Sequence, residues 1–163
     1  MIGASLEFLC DCIVVALLSH YAVRQAPVPV QDMLLAPPPD LRHDVSLTEV
    51  DFGQAMWLRL IGGQGSVFAN TELPAAERRY HMACALFTAL CATKGGRAVG
   101  LPDVPNENMR AQMDLFARRL LMPPELLPKG WEHLSPESLA ELCGVPQPVA
   151  EAHLASVNGF KPG

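Results

Sequence analysis

Fifteen prolines and twelve glycines cut this chain of 163 residues into short pieces. A proline inside a helix removes a backbone donor and clashes with the preceding turn, so each one limits how far a helix can run. Pro27, Pro29, Pro37-Pro38-Pro39, Pro74, Pro123-Pro124, Pro136 and Pro148 therefore exclude a long rod or coiled coil. What remains is a domain of short elements that must pack on one another to hold their shape, one domain or two small ones at this length.

The composition agrees with heavy burial: 50% of residues are hydrophobic and only 18% are charged. Disorder needs the reverse balance. Seventeen acidic against twelve basic residues leave a net charge of -5, which argues against nucleic-acid binding, because phosphate neutralisation needs a basic face. Five cysteines (Cys10, Cys12, Cys84, Cys91 and Cys143) form no C-x-x-C pair and no disulfide framework. Reduced thiols in a cytoplasmic protein are the expectation. The apolar run from Ile13 to Leu18 is far too short for a membrane span, and Glu7 and Asp11 before it oppose a signal peptide.

Residues 5–24 set Leu6, Leu9, Cys10, Ile13, Leu17 and Tyr21 on one helical face. Val14, Val15 and Leu18 widen the stripe, which predicts a helix covered on more than one side. A short helix is expected over Val30 to Leu35. Residues 45–50, 55–61 and 66–69 read as strands of a small antiparallel sheet. Helices are expected from Pro74 to about Thr93 with Gly95-Gly96 as the stop, from Asn106 or Asn108 to Met122, from Ser135 to Gly144, and from Pro148 to Val157. A helix, a sheet, then helices is an α+β order with a mostly helical C-terminal half.

Three segments in this order resemble the ImmA/IrrE-type zinc metallopeptidase family. Gly65-Ser66-Val67-Phe68-Ala69-Asn70 followed by Glu77-Arg78-Arg79-Tyr80 is similar to that family's edge strand and the entry to its active helix. Phe116-Ala117-Arg118-Arg119-Leu120-Leu121-Met122-Pro123 is similar to its F-A-x-x-L-L-M-P signature, and Leu139 to Val145 to its closing helix-turn-helix-like element. The resemblance implies a zincin-like metallopeptidase core and a single IrrE-like domain over 1–163, with 135–157 as the closing element.

Zinc peptidases of this kind carry two histidines four residues apart, with a glutamate between them as general base on the metal-bound water. The family pattern R-F-x-x-A-H-E-x-x-H meets Arg79-Tyr80-His81-Met82-Ala83-Cys84-Ala85-Leu86-Phe87-Thr88 here. By that resemblance the ligand positions are Cys84 and Thr88, the base position is Ala85, and the third-ligand position is Arg110. Glu107 lies one turn from Arg110, and using it would break the register of the second segment. His81 has no second histidine four residues on. The resemblance thus implies a pseudo-peptidase with no metal or other cofactor, whose degenerate pocket is formed by His81, Cys84, Ala85, Thr88 and Arg110.

Two functions follow as expectations. The first is a catalytically inactive regulatory or protein-interaction module, whose partner the resemblance implies to be a helix-turn-helix regulator or another protein of a toxin–antitoxin or mobile-element system. The alternative is an enzyme with relocated chemistry, in which Arg110 projects toward Cys84 and lowers its thiol pKa. In residues 135–157 the charges are Glu137, Glu141 and Glu151, with no Lys or Arg, which favours structural packing over DNA reading. Arg78-Arg79 and Arg118-Arg119 read as a solvated face or as ion pairs to Glu77 and Asp114. His20, His43, His133 and His153 read as surface or capping residues, and Trp57 or Trp131 as possible anchors for a partner.

Overall fold

The computed structural model describes residues 5–42, 45–51, 56–59, 65–104 and 106–159. Helix α1 (Leu6–His20) starts on Ser5, whose Oγ accepts from the Phe8 amide at 3.2 Å. It turns Cys10, Val14, Leu17 and Leu18 inward. Phe8 and Val15 on the other side stay 59% and 58% exposed. The helix is covered on one side, where its apolar sequence predicts burial on more than one. Helix α2 (Val30–Leu35) follows, tied back to α1 by the Tyr21 hydroxyl, which donates to the Ala36 carbonyl at 2.6 Å.

Strands β1 (Val45–Val50), β2 (Met56–Arg59) and β3 (Gly65–Asn70) form one sheet in the order β1-β3-β2. The antiparallel expectation holds only for β2 and β3. β1 and β3 run parallel, Val45 pairing with Gly65 and Val50 with Asn70. The reason lies in burial: β3 is enclosed along nearly its whole length and takes the centre, which sends amphipathic β1 to the opposite edge from β2. Because β3 doubles back on β2, it lies in the same direction as β1.

Helix α3 (Ala75–Ala92) packs on β2 and β3 with one side and on helix α5 (Met109–Leu121) with another. Nine of its residues between Met82 and Cys91 are buried, which makes it the central helix of the domain. It ends at Thr93, before the predicted stop. The Thr93 hydroxyl donates to the Leu90 carbonyl at 2.7 Å and accepts from the Gly96 amide at 2.9 Å, ending α3 and opening α4 (Lys94–Val99). Gly95-Gly96 thus lie inside a helix, and the glycine that closes it is Gly100, at φ +97°. Gly96 is there for space: a Cβ would fall 2.0 Å from the Leu90 carbonyl oxygen.

Helices α6 (Pro136–Cys143) and α7 (Gln147–Val157) begin and end close to the predicted signals, with Ser135 capping α6 and Gly144 ending it at φ +63°. A single hydrophobic cluster joins α1, α2, β1, β3, α3, α5, α6 and α7, with Phe87 and Phe116 at its centre, ring centroids 5.2 Å apart. No helix among the described residues is long and apolar enough to cross a membrane.

Candidate functional site

Four of the five residues singled out for the pocket lie on α3, and one of them, Cys84, meets α5. Cys84, Ala85 and Thr88 follow one another along α3, with His81 one turn earlier. Cys84 is 6% exposed, and Ala85 is buried. The Cys84 Sγ donates weakly to the Met113 carbonyl at 3.8 Å, and the Thr88 hydroxyl turns back to the Cys84 carbonyl at 3.4 Å. Such back-bonding absorbs the threonine's polar group within its own helix.

The charged group that meets this pocket is Asp114. The Tyr80 hydroxyl, one turn before Cys84, donates to Asp114 Oδ1 at 2.8 Å, while Oδ2 takes Arg118 Nε at 2.8 Å. Arg110, one turn before Asp114 on α5, is exposed. Burial pushes the Cys84 thiol up to about 12, with Asp114 adding to the rise and a hydrogen bond from Tyr80 opposing it. A guanidinium would have acted in the other direction. Burial likewise raises the Tyr80 phenol, reinforced by Cys84 and Asp114. His81 is half-buried with its ring edge-on to Tyr80 at 5.4 Å, and burial lowers its pKa against the pull of Glu77.

These groups suit a neutral, closed contact. A thiol held that high is protonated at neutral pH, which disfavours nucleophilic attack by Cys84. Among the described residues no group of three or more His, Cys, Asp or Glu side chains is placed to hold a metal ion.

From Asp114 the polar chain continues to the C-terminal helix. Arg118 Nη1 donates to Ser156 Oγ at 3.1 Å, and Ser156 Oγ donates to the His153 carbonyl at 2.7 Å. His153, expected at the surface, is 5% exposed and stacks on Trp131 with ring centroids 5.4 Å apart. Its Nε2 is buried with no hydrogen-bond partner among the described residues. Burial, then Arg118 and Arg119, lower its pKa to about 4, so the ring is neutral. Trp131, covered by this ring, is unavailable as a partner anchor. The Trp57 side chain and His43 lie outside the described residues; His20 and His133 are exposed.

The arginine doublets divide. Arg118 pairs with Asp114 as the spacing suggests, whereas Arg119 reaches back to α1 and holds Asp11 at 2.6 Å. Arg79 is a staple: Nε donates to the Gly144 carbonyl at 3.1 Å and Nη2 to the Val28 carbonyl at 2.5 Å. Burial lowers its pKa. This ties α3 to the α6–α7 turn and to the segment before α2.

The i, i+4 spacing gives the Asp114–Arg118 pair in the sequence itself. The Tyr80–Asp114 bond, which joins residues 34 apart, and the burial of His153 are visible only in the structure. Comparison of the chain with models of known protein families gives no match, and comparison with curated proteins gives none either.

Proposed function

We propose that this chain is a catalytically inactive, peptidase-like module that works by binding another protein, with a helix-turn-helix regulator as the partner class. The observation that carries the reading is the composition of the α3–α5 contact. By the resemblance to ImmA/IrrE-type peptidases, the positions of two zinc-binding histidines, the general base and the third ligand hold Cys84, Thr88, Ala85 and Arg110. Ala85 has no group to take a proton from water, and Arg110, at the position of the third ligand, would repel a cation. Cys84 and Ala85 are packed in the core, which suits a domain that keeps a shape rather than a reaction. A zincin-like ancestry of this core belongs to the same proposal.

The alternative, chemistry on Cys84 beside Arg110, asks for a thiolate near neutral pH. Burial and Asp114 hold the thiol at about 12, which supports the first reading. The test mixes the purified chain with a helix-turn-helix repressor encoded next to its gene. Binding by calorimetry with the repressor intact by mass spectrometry is expected. Cleavage of the repressor, or stoichiometric zinc lost on Cys84→Ser, would overturn the reading.

A further inference from the structure

Two of the exposed large apolar side chains line one trough: Val15 on α1, 58% exposed, and Val157 at the end of α7, 45% exposed. Between α1, α5 and α7 lies a cleft of about 540 Å³, lined by Val14, Val15, Leu115, Met122 and Val157 among others. A second hollow of about 360 Å³ continues it toward the C-terminal end of α1, sharing Val15 and Glu125 with the first. Together they follow the length of α1, about 22 Å for its 15 residues. An elongated trough with apolar walls fits a helix better than a compact small molecule.

Its charge narrows the occupant further. The cleft is lined by the carboxylates of Glu7, Asp11 and Glu125 and by the guanidiniums of Arg118 and Arg119. Both cations are already engaged: Arg119 Nη1 holds both Asp11 oxygens at 2.6 and 2.7 Å, and Arg118 holds Asp114 from outside the cleft. The free charge facing an incoming chain is therefore that of Glu7, in only a loose 3.7 Å contact with Arg119, and Glu125, which has no ion pair among the described residues. Arg24 adds one cation at the far end of the second hollow.

We infer that this trough docks an amphipathic helix of a partner protein. Its apolar face meets Val15 and Val157, and its flanking Lys or Arg side chains meet Glu7 and Glu125. The inference deepens the interaction reading above and rests on it, but uses a different surface from the α3–α5 contact.

The probe is a fluorescein-labelled 18-residue Leu/Lys amphipathic peptide, with a Leu/Glu peptide of the same pattern as counterpart, titrated against the full chain by anisotropy. The Leu/Lys peptide is expected to bind at least tenfold tighter than the Leu/Glu peptide. Val15→Asp and Val157→Asp, both at exposed positions, should each weaken it at least tenfold. Glu7→Lys combined with Glu125→Lys should abolish the preference, and Val99→Asp, on exposed α4, should change nothing. Equal loss from Val99→Asp, or no preference between peptides, overturns the trough. So does a wild-type dimer in light scattering that Val15→Asp makes monomeric, since the occupant is then a second copy. If a repressor binds but ignores Val15→Asp, the trough fails and the interaction reading stands. If the peptides behave as expected and no repressor binds, the regulator partner fails alone.

Discussion

The Tyr80 hydroxyl and the Asp114 carboxylate meet at 2.8 Å across the contact of α3 and α5, beside the Cys84 thiol. Asp114 gives its second oxygen to Arg118, so one carboxylate links Tyr80 of α3 to Arg118 of α5. Removing one partner of a half-buried charged hydrogen bond costs more than the bond contributes, because the other partner is left unpaired.

Tyr80→Phe is therefore expected to destabilise the fold by about 1 to 2 kcal/mol, and Asp114→Ala by about 2 to 3 kcal/mol. Urea denaturation of both single variants and the double variant measures their coupling. A coupling below about 0.3 kcal/mol, the level of independent sites, would contradict the direct bond.

Cys84 should react slowly with iodoacetamide at pH 7.5, far behind exposed Cys12. Arg110→Ala should leave its rate unchanged, since Arg110 is exposed and Asp114 is the charge that acts on the thiol. Peptide mapping by mass spectrometry reads both sites at once. Labelling of Cys84 as fast as Cys12, or slowed by Arg110→Ala, would restore the reactive-thiol reading.

His153 makes the fold sensitive to acid. Its folded-state pKa, about 4, lies below the ordinary 6.5, so the neutral ring is the form that the fold accepts. Stability from this group is complete above pH 6.5 and is lost as pH falls toward 4, on the order of 2 to 3 kcal/mol. Melting temperature between pH 7.5 and 4.5 should fall less steeply in His153→Gln than in wild type. Parallel curves would show that the ring's burial does not govern acid stability.

Adjacent glycines should respond in opposite ways. Gly95→Ala meets nothing within 4 Å on α4 and should be neutral or stabilising by up to about 1 kcal/mol. Gly96→Ala drives a methyl into the Leu90 carbonyl and should cost about 2 kcal/mol or more. Thermal melts of the two variants check the contrast; equal values would mean that the end of α3 relaxes freely.

Local signals carried much of this architecture. Ser135, Pro136 and Gly144 bracket α6 because capping hydroxyls, a proline in the first turn and a left-handed glycine act within a few residues of themselves. Apolar spacing placed α1, and Pro74 and the Asn108 cap placed the starts of α3 and α5, for the same reason. The sequence also determined that Ala85 can be no base in any fold. The tertiary structure alone decided the rest. It chose Asp114 over Arg110 as the neighbour of Cys84, buried His153 under Trp131, left Phe8 and Val15 in solvent, and set β3 between β1 and β2. Each of these depends on residues far apart in the chain, and which of several similar side chains reaches a contact is settled by how helices and strands pack, not by the spacing within any one of them.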